Sequence, residues 1–158
     1  MSTASDASAE RPMPDPIQLL RDYADLGAAS RRELQRVVLP DDLRSIGAFY
    51  ALLPGHRPRG GDLRLVYLVP YVRHSETGPG LGGALAETGV SESRFKRLLA
   101  SEPPADLRAL VEIARAYTIV GNWPEIARTL YYWGPAAKSR VAEDYWVRTT
   151  THSRKAKS

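Results

Sequence analysis

The stretch PADLRALVEIARAYTIV, residues 104–120, places Leu107, Leu110, Val111, Ala114, Tyr117 and Thr118 at i, i+3, i+4, i+7, i+10 and i+11. That spacing lays them along one face of a helix, with Arg108, Glu112 and Arg115 on the opposite face. Similar periods recur on both sides of it. Ile17, Leu20, Tyr23 and Ala24 are helical in spacing, Leu34, Val37 and Val38 continue the pattern after a break near Gly27, and Pro40 closes that element. Asp41 can cap a helix reading DDLRSIGAFYALL, whose Leu43, Ile46, Phe49, Tyr50 and Leu53 form one stripe. The basic stretch PGHRPRGG (54–61) is a loop on its Pro and Gly content.

Residues 62–74 (DLRLVYLVPYVRH) are rich enough in β-branched side chains for a strand, yet nothing else in the chain offers a partner strand, so a buried helix kinked at Pro70 is expected. SETGPG (75–80) is a second loop. Two short helices follow, LGGALAETG and SESRFKRLLAS, joined at Gly89 with Ser91 as N-cap. Asn122 with Glu125 three residues on predicts a capping box, Pro124 sits in the first turn, and Gly134-Pro135 ends one helix and starts another running to about 148.

The expected fold is all-α, a compact multi-helix bundle or two small helical lobes. With 158 residues, 43% of them hydrophobic, the chain is long enough for a genuine core. Residues 1–15 are polar and aperiodic and predict a disordered N-terminal segment; 16–150 form the helical domain; 151–158 are a mobile basic tail. No apolar run reaches the length of a membrane span and no signal-peptide layout opens the chain, so a cytoplasmic address is expected. The absence of cysteine removes thiolate metal sites and cysteine nucleophiles and fits a reducing compartment.

Catalytic chemistry finds little material. His56, His74 and His152 lie in loops or the tail without metal-ligand spacing, and Glu143 and Asp144, as neighbours in a helix, point about 100° apart. Gly78, Gly80, Gly82 and Gly83 lack the Lys-Ser/Thr ending of a phosphate-cradling loop. No catalytic residue, metal or cofactor is expected. Trp123, Tyr131, Trp133, Tyr145 and Trp146 lie on amphipathic helices and read as core rather than base-stacking platforms.

Arginine is what remains. The net charge is +4, and between residues 30 and 75 Arg31, Arg32, Arg36, Arg44, Arg57, Arg59, Arg64 and Arg73 face only Glu33, Asp41, Asp42 and Asp62. Arg94, Lys96 and Arg97 form a second cluster. A guanidinium offers a fixed fork of donors to phosphate oxygens and stays charged at any working pH, so these clusters predict sequence-independent contact with a nucleic-acid backbone.

Three segments together resemble one family. They are Pro40-Asp41-Asp42-Leu43-Arg44 leading to Ala48-Phe49-Tyr50; Leu81-Gly82 with Ala84-Leu85, then Ser91-Glu92-Ser93-Arg94-Phe95 and Leu98-Leu99; and Trp123-Pro124 with Ala127-Arg128, Leu130, Trp133-Gly134 and Glu143-Asp144-Tyr145. In order and spacing this is similar to the CasB family, the small subunit of the type I-E CRISPR surveillance complex called Cascade, over roughly residues 16–150. The resemblance implies an all-α, non-enzymatic subunit without cofactor, present as paired copies head to tail. It implies contacts with the backbone subunit CasC, the large subunit CasA, guide RNA and target DNA, and a role in holding the guide–target duplex and the displaced strand of an R-loop. Arg36, Arg57, Arg64 and Arg94 align with basic positions of the family, and Arg59, Lys96 and Arg97 sit beside them. Arg128 reads equally as a nucleic-acid contact or a tie between helices. Where relatives place basic residues directly after the Trp-Gly pair, this chain has Pro135-Ala136-Ala137, and charge returns at Lys138 and Arg140.

Two rival readings stand beside it. LAETGVSESRFKRLL has the Ala, Gly-Val-Ser and basic second helix of a helix-turn-helix regulator, although Leu85 occupies the position four before Gly89 where that motif places a small residue. A pure scaffold would instead set the arginines against acidic protein surfaces.

Overall fold

A computed structural model describes residues 12–157, with side chains described through Thr151. The expected disordered segment 1–15 therefore lies, up to residue 11, outside the described residues. Asp15 is the N-cap of the first helix, its carboxylate accepting from the backbone N–H groups of Ile17 (3.0 Å) and Gln18 (3.3 Å).

Nine α-helices occur among the described residues: α1 (Pro16–Asp25), α2 (Ala28–Gln35), α3 (Gly47–Leu52), α4 (Gly60–Leu68), α5 (Leu81–Thr88), α6 (Glu92–Ala100), α7 (Ala105–Tyr117), α8 (Trp123–Tyr131) and α9 (Pro135–Lys157). Three-residue-period turns span Pro40–Ser45 and Val69–Tyr71, and two short strands, β1 (Val72–His74) and β2 (Ile119–Gly121), complete the set. The molecule is mostly α-helical and compact, with one core cluster drawing on every helix from α1 to α9. The amphipathic reading of α7 holds for its first three turns, where Leu107, Leu110, Val111 and Ala114 are buried and Arg108, Glu112 and Arg115 are exposed, but Tyr117 and Thr118 at the end of the expected stripe are exposed, and Ile113 is buried beside it.

The segment 41–53 does not form one helix. Pro40–Ser45 winds as a 3-10 helix, Ile46 is extended, and α3 restarts at Gly47. Asp42, not Asp41, does the capping, its carboxylate accepting from Leu39 N at 2.9 Å, while Asp41 pairs with Arg44 at 3.1 Å on the surface.

Segment 62–74 is a second correction. The helix ends at Leu68 because Pro70 brings no N–H and its ring collides with the carbonyl four residues earlier, and the chain then turns into β1. A partner strand does exist, hidden at the end of the 104–120 pattern. Val72, Arg73 and His74 pair in parallel with Ile119, Val120 and Gly121. The β-branched run Thr118-Ile119-Val120 leaves the helix at Thr118, which takes a positive φ of 52°.

The two helices joined at Gly89 form as expected. Gly89 takes φ 79°, the left-handed conformation that ends α5, and the Ser91 hydroxyl accepts from Arg94 N at 3.2 Å to start α6. Asn122 likewise accepts from Glu125 N at 3.1 Å to cap α8, but its own N–H donates to Pro79 O at 2.8 Å, so only half of the expected capping box forms. α5 packs tightly along α9, and Gly82 makes that approach possible, since a Cβ there would lie 2.7 Å from Asp144 Cβ. Phe95 of α6 stacks on Tyr145 of α9, ring centroids 3.7 Å apart. α9 extends well past 148, so the backbone of 151–157 continues the helix.

Candidate nucleic-acid interface

The Trp-Pro motif builds the scaffold on which the basic residues stand. Trp123 is fully buried; its Nε1–H donates to Pro16 O at 2.7 Å, and its backbone N–H donates to His74 Nδ1 at 3.1 Å. One residue thereby ties α1, β1 and α8 together. At the other end of α8, Arg64 of α4 donates from Nε to Leu130 O and from Nη2 to Tyr131 O, both at 2.6 Å, satisfying carbonyls that the helix end leaves open. Burial lowers the Arg64 pKa. Trp133 then donates from Nε1 to Asp106 Oδ2 at 2.8 Å, and the same oxygen takes Lys138 Nζ at 2.7 Å. Lys138 also donates to Ser101 O, at 2.7 Å. Arg64 and Lys138, both expected at a phosphate, are thus committed to internal partners.

The remaining expected cations are differently placed. Arg36 is exposed at the C-cap of α2 and lines a cleft of about 140 Å³ that also holds Arg108, Glu112 and Arg115 of α7. Arg57 is exposed in the loop before α4, and Arg59 is half-buried at its N-cap, donating its backbone N–H to Asp62 at 2.8 Å. On α6, Arg94 is half-buried with its guanidinium carbon 5.9 Å from the Tyr117 ring centroid. Lys96 is exposed and lies 5.8 Å from the Trp146 centroid, and Arg97 is exposed beside it. Arg140 on α9 and Arg128 on α8 are exposed.

Arg108 and Arg115 are the residues that sequence reasoning left out of the site. Their i, i+7 spacing on the outer face of α7 was the available signal, and only the fold shows that they line the same cleft as Arg36. Glu112 answers part of this charge, lying 3.6 Å from Arg108 Nε in an exposed pair. The Tyr67 hydroxyl at the same cleft donates to Val38 O at 2.6 Å, and burial pushes its pKa up to about 12. Chemically, the surface offers forked donors, and among the described residues no group of three or more His, Cys, Asp or Glu side chains is placed to hold a metal. Among the same residues no helix is long and apolar enough to cross a membrane.

The sequence model of the CRISPR-associated protein Cse2 family matches residues 40–146. The chain is 30% identical over 155 residues to the CRISPR system Cascade subunit CasB of Escherichia coli strain K12, covering 88% of this chain and 97% of that one. The chain belongs to the CasB (Cse2) family. The CasB fold is matched as well: a chain of the crystal structure of E. coli Cascade bound to a PAM-containing dsDNA target superposes with a TM-score of 0.80 at 31% identity. That likeness covers 89% of this chain and 99% of the other. Phe95 and Leu98 of α6 are buried in the core of this fold.

Proposed function

We propose that this chain is the non-catalytic small subunit of a type I-E Cascade complex, steadying an R-loop through contacts with nucleic-acid backbone. The observation that carries the reading is the end-to-end likeness to a chain from a DNA-bound Cascade. A subunit of this kind sits beside the backbone and large subunits, pairs head to tail with a second copy, and faces the guide RNA–target duplex and the displaced strand. Opening an R-loop exchanges one duplex for another of similar stability, so a few phosphate contacts to the strands suffice to tip it. The exposed cations Arg36, Arg57, Lys96, Arg97 and Arg140, with half-buried Arg59 and Arg94, supply such contacts without reading sequence.

Co-purification tests the assembly: the tagged chain, expressed in its native cell, brings down other Cas subunits and a guide RNA. Replacing Arg57 and Arg94 together with Ala leaves that assembly intact, shortens R-loop lifetime and lowers the salt slope of target binding by about one unit for each phosphate no longer neutralised. Target binding that is unchanged across a salt series removes these two residues from the interface.

A further inference from the structure

A groove separate from the Arg36 cleft runs between α1 and α7 over the segment Pro70–His74, with Arg73, His74, Arg115 and Thr118 among its walls and a volume of about 640 Å³. Among the described residues, no carboxylate lines it. Arg115 is held in place there: its Nη2 donates to Gln35 O at 2.5 Å and to the Tyr71 hydroxyl at 2.9 Å, and its guanidinium carbon lies 5.2 Å from the Tyr71 ring centroid. Both hydrogen bonds come from Nη2, and among the described residues Nε and Nη1 of the fork have no hydrogen-bond partner. Arg73 is exposed on β1.

His74 is the third donor, and its tautomer follows from its partner. A backbone N–H can only donate, so Nδ1, 3.1 Å from Trp123 N, accepts and carries no proton. The neutral ring must then carry its proton on Nε2, the nitrogen that Trp123 does not engage. The imidazole is a fixed donor, oriented by the start of α8.

We infer that this groove is a seat for a phosphodiester of a nucleic-acid strand, gripped by Arg73, Arg115 and the Nε2–H of His74. Arg115 lines both this groove and the Arg36–Arg108 cleft, so the cations run in series from one hollow to the next. A series of cations matches the regular charge repeat of a sugar-phosphate chain better than the scattered carboxylates of an acidic peptide. The inference deepens the proposed function by adding a contact site to it, but its test does not require the assembled complex.

The test measures fluorescence anisotropy of a labelled oligothymidylate with the full chain, against an oligoglutamate of equal charge, across a salt series. His74→Asn is the informative variant, because the Asn carbonyl replaces Nδ1 as the acceptor for Trp123 N–H while the Nε2–H donor is deleted. His74→Asn combined with Arg73→Gln should leave the melting temperature unchanged, weaken oligothymidylate binding about tenfold or more and lower the salt slope by about one. In the parent chain, nitrogen NMR should show the Nε2–H tautomer, and the His74 ring signal should shift on adding the oligonucleotide. An unchanged affinity in the double variant, tighter binding of oligoglutamate than of oligothymidylate, or no detectable oligonucleotide binding each overturns the groove assignment. Failure of the chain to co-purify with Cas subunits would instead overturn the proposed function.

Discussion

Lys138 Nζ lies 2.7 Å from Asp106 Oδ2, with the carboxylate fully buried and the lysine side chain 16% exposed. The pair joins α9 to α7, and Trp133 adds a third group from the turn between α8 and α9. A charge in this position serves the fold, because removing it strands a carboxylate away from water. Lys138→Met should therefore destabilise the protein by about 3–5 kcal/mol. Urea unfolding checks this, and adding Asp106→Asn to the same chain should cost much less than the sum of the two single changes.

Arg64→Lys should not rescue Arg64→Ala. The guanidinium reaches Leu130 O and Tyr131 O with two different nitrogens, a geometry that a single ammonium cannot reproduce. Both variants should lose about 1.5–3 kcal/mol by thermal melting. If Arg64 were instead a phosphate contact, the Lys variant would keep its stability and lose only affinity for nucleic acid.

Gly82→Ala should separate α5 from α9. The added methyl would press on the Asp144 Cβ and the α9 backbone, and neither can rotate away. A loss of about 1–3 kcal/mol in chemical denaturation is expected, with faster hydrogen exchange in both helices. Gly134→Ala, where a Cβ meets nothing within 4 Å, is the matched control and should be near neutral.

Tyr67 should titrate late. Its pKa rises from 10.0 to about 12, chiefly because burial disfavours the phenolate, with Tyr71 adding to the shift and Arg115 and Arg108 opposing it. The folded value exceeds the unfolded one, so the neutral hydroxyl contributes its full stability below pH ~10, and that contribution is lost as pH climbs toward about 12. Alkaline difference absorbance of the parent chain against Tyr67→Phe should show one phenol missing from the last step of ionisation only. A missing early step would contradict the burial of that ring.

Much of the fold was legible because helices announce themselves locally. Ser91 and Asn122 cap where their spacing says they should, Gly89 ends α5, and the stripe on α7 is buried from Leu107 to Ala114, though not at Tyr117 and Thr118. Residues 72–74 and 119–121 were not legible, since each strand is only three residues long and its partner lies beyond three intervening helices. Thr118-Ile119-Val120 continues a helical period that the structure abandons. For the interface, charge told which residue types were present but not which way they face. Arg64 and Lys138 carry the same signal in sequence as Arg36 and Arg97, and only packing turns the first two inward. The family resemblance was readable for the complementary reason. Trp123, Leu130 and Trp133 are fixed by internal contacts, so their spacing records the architecture rather than the ligand.

The parallel pairing of Val72–His74 with Ile119–Gly121 acts as a clasp on that architecture. Because α5, α6 and α7 lie within the loop it closes, the two strands cannot meet cheaply until those helices have gathered, and the clasp should snap shut late in folding. Trp123 lies two residues past β2, so its hydrogen bonds to Pro16 and His74 fasten the first helix to the same clasp.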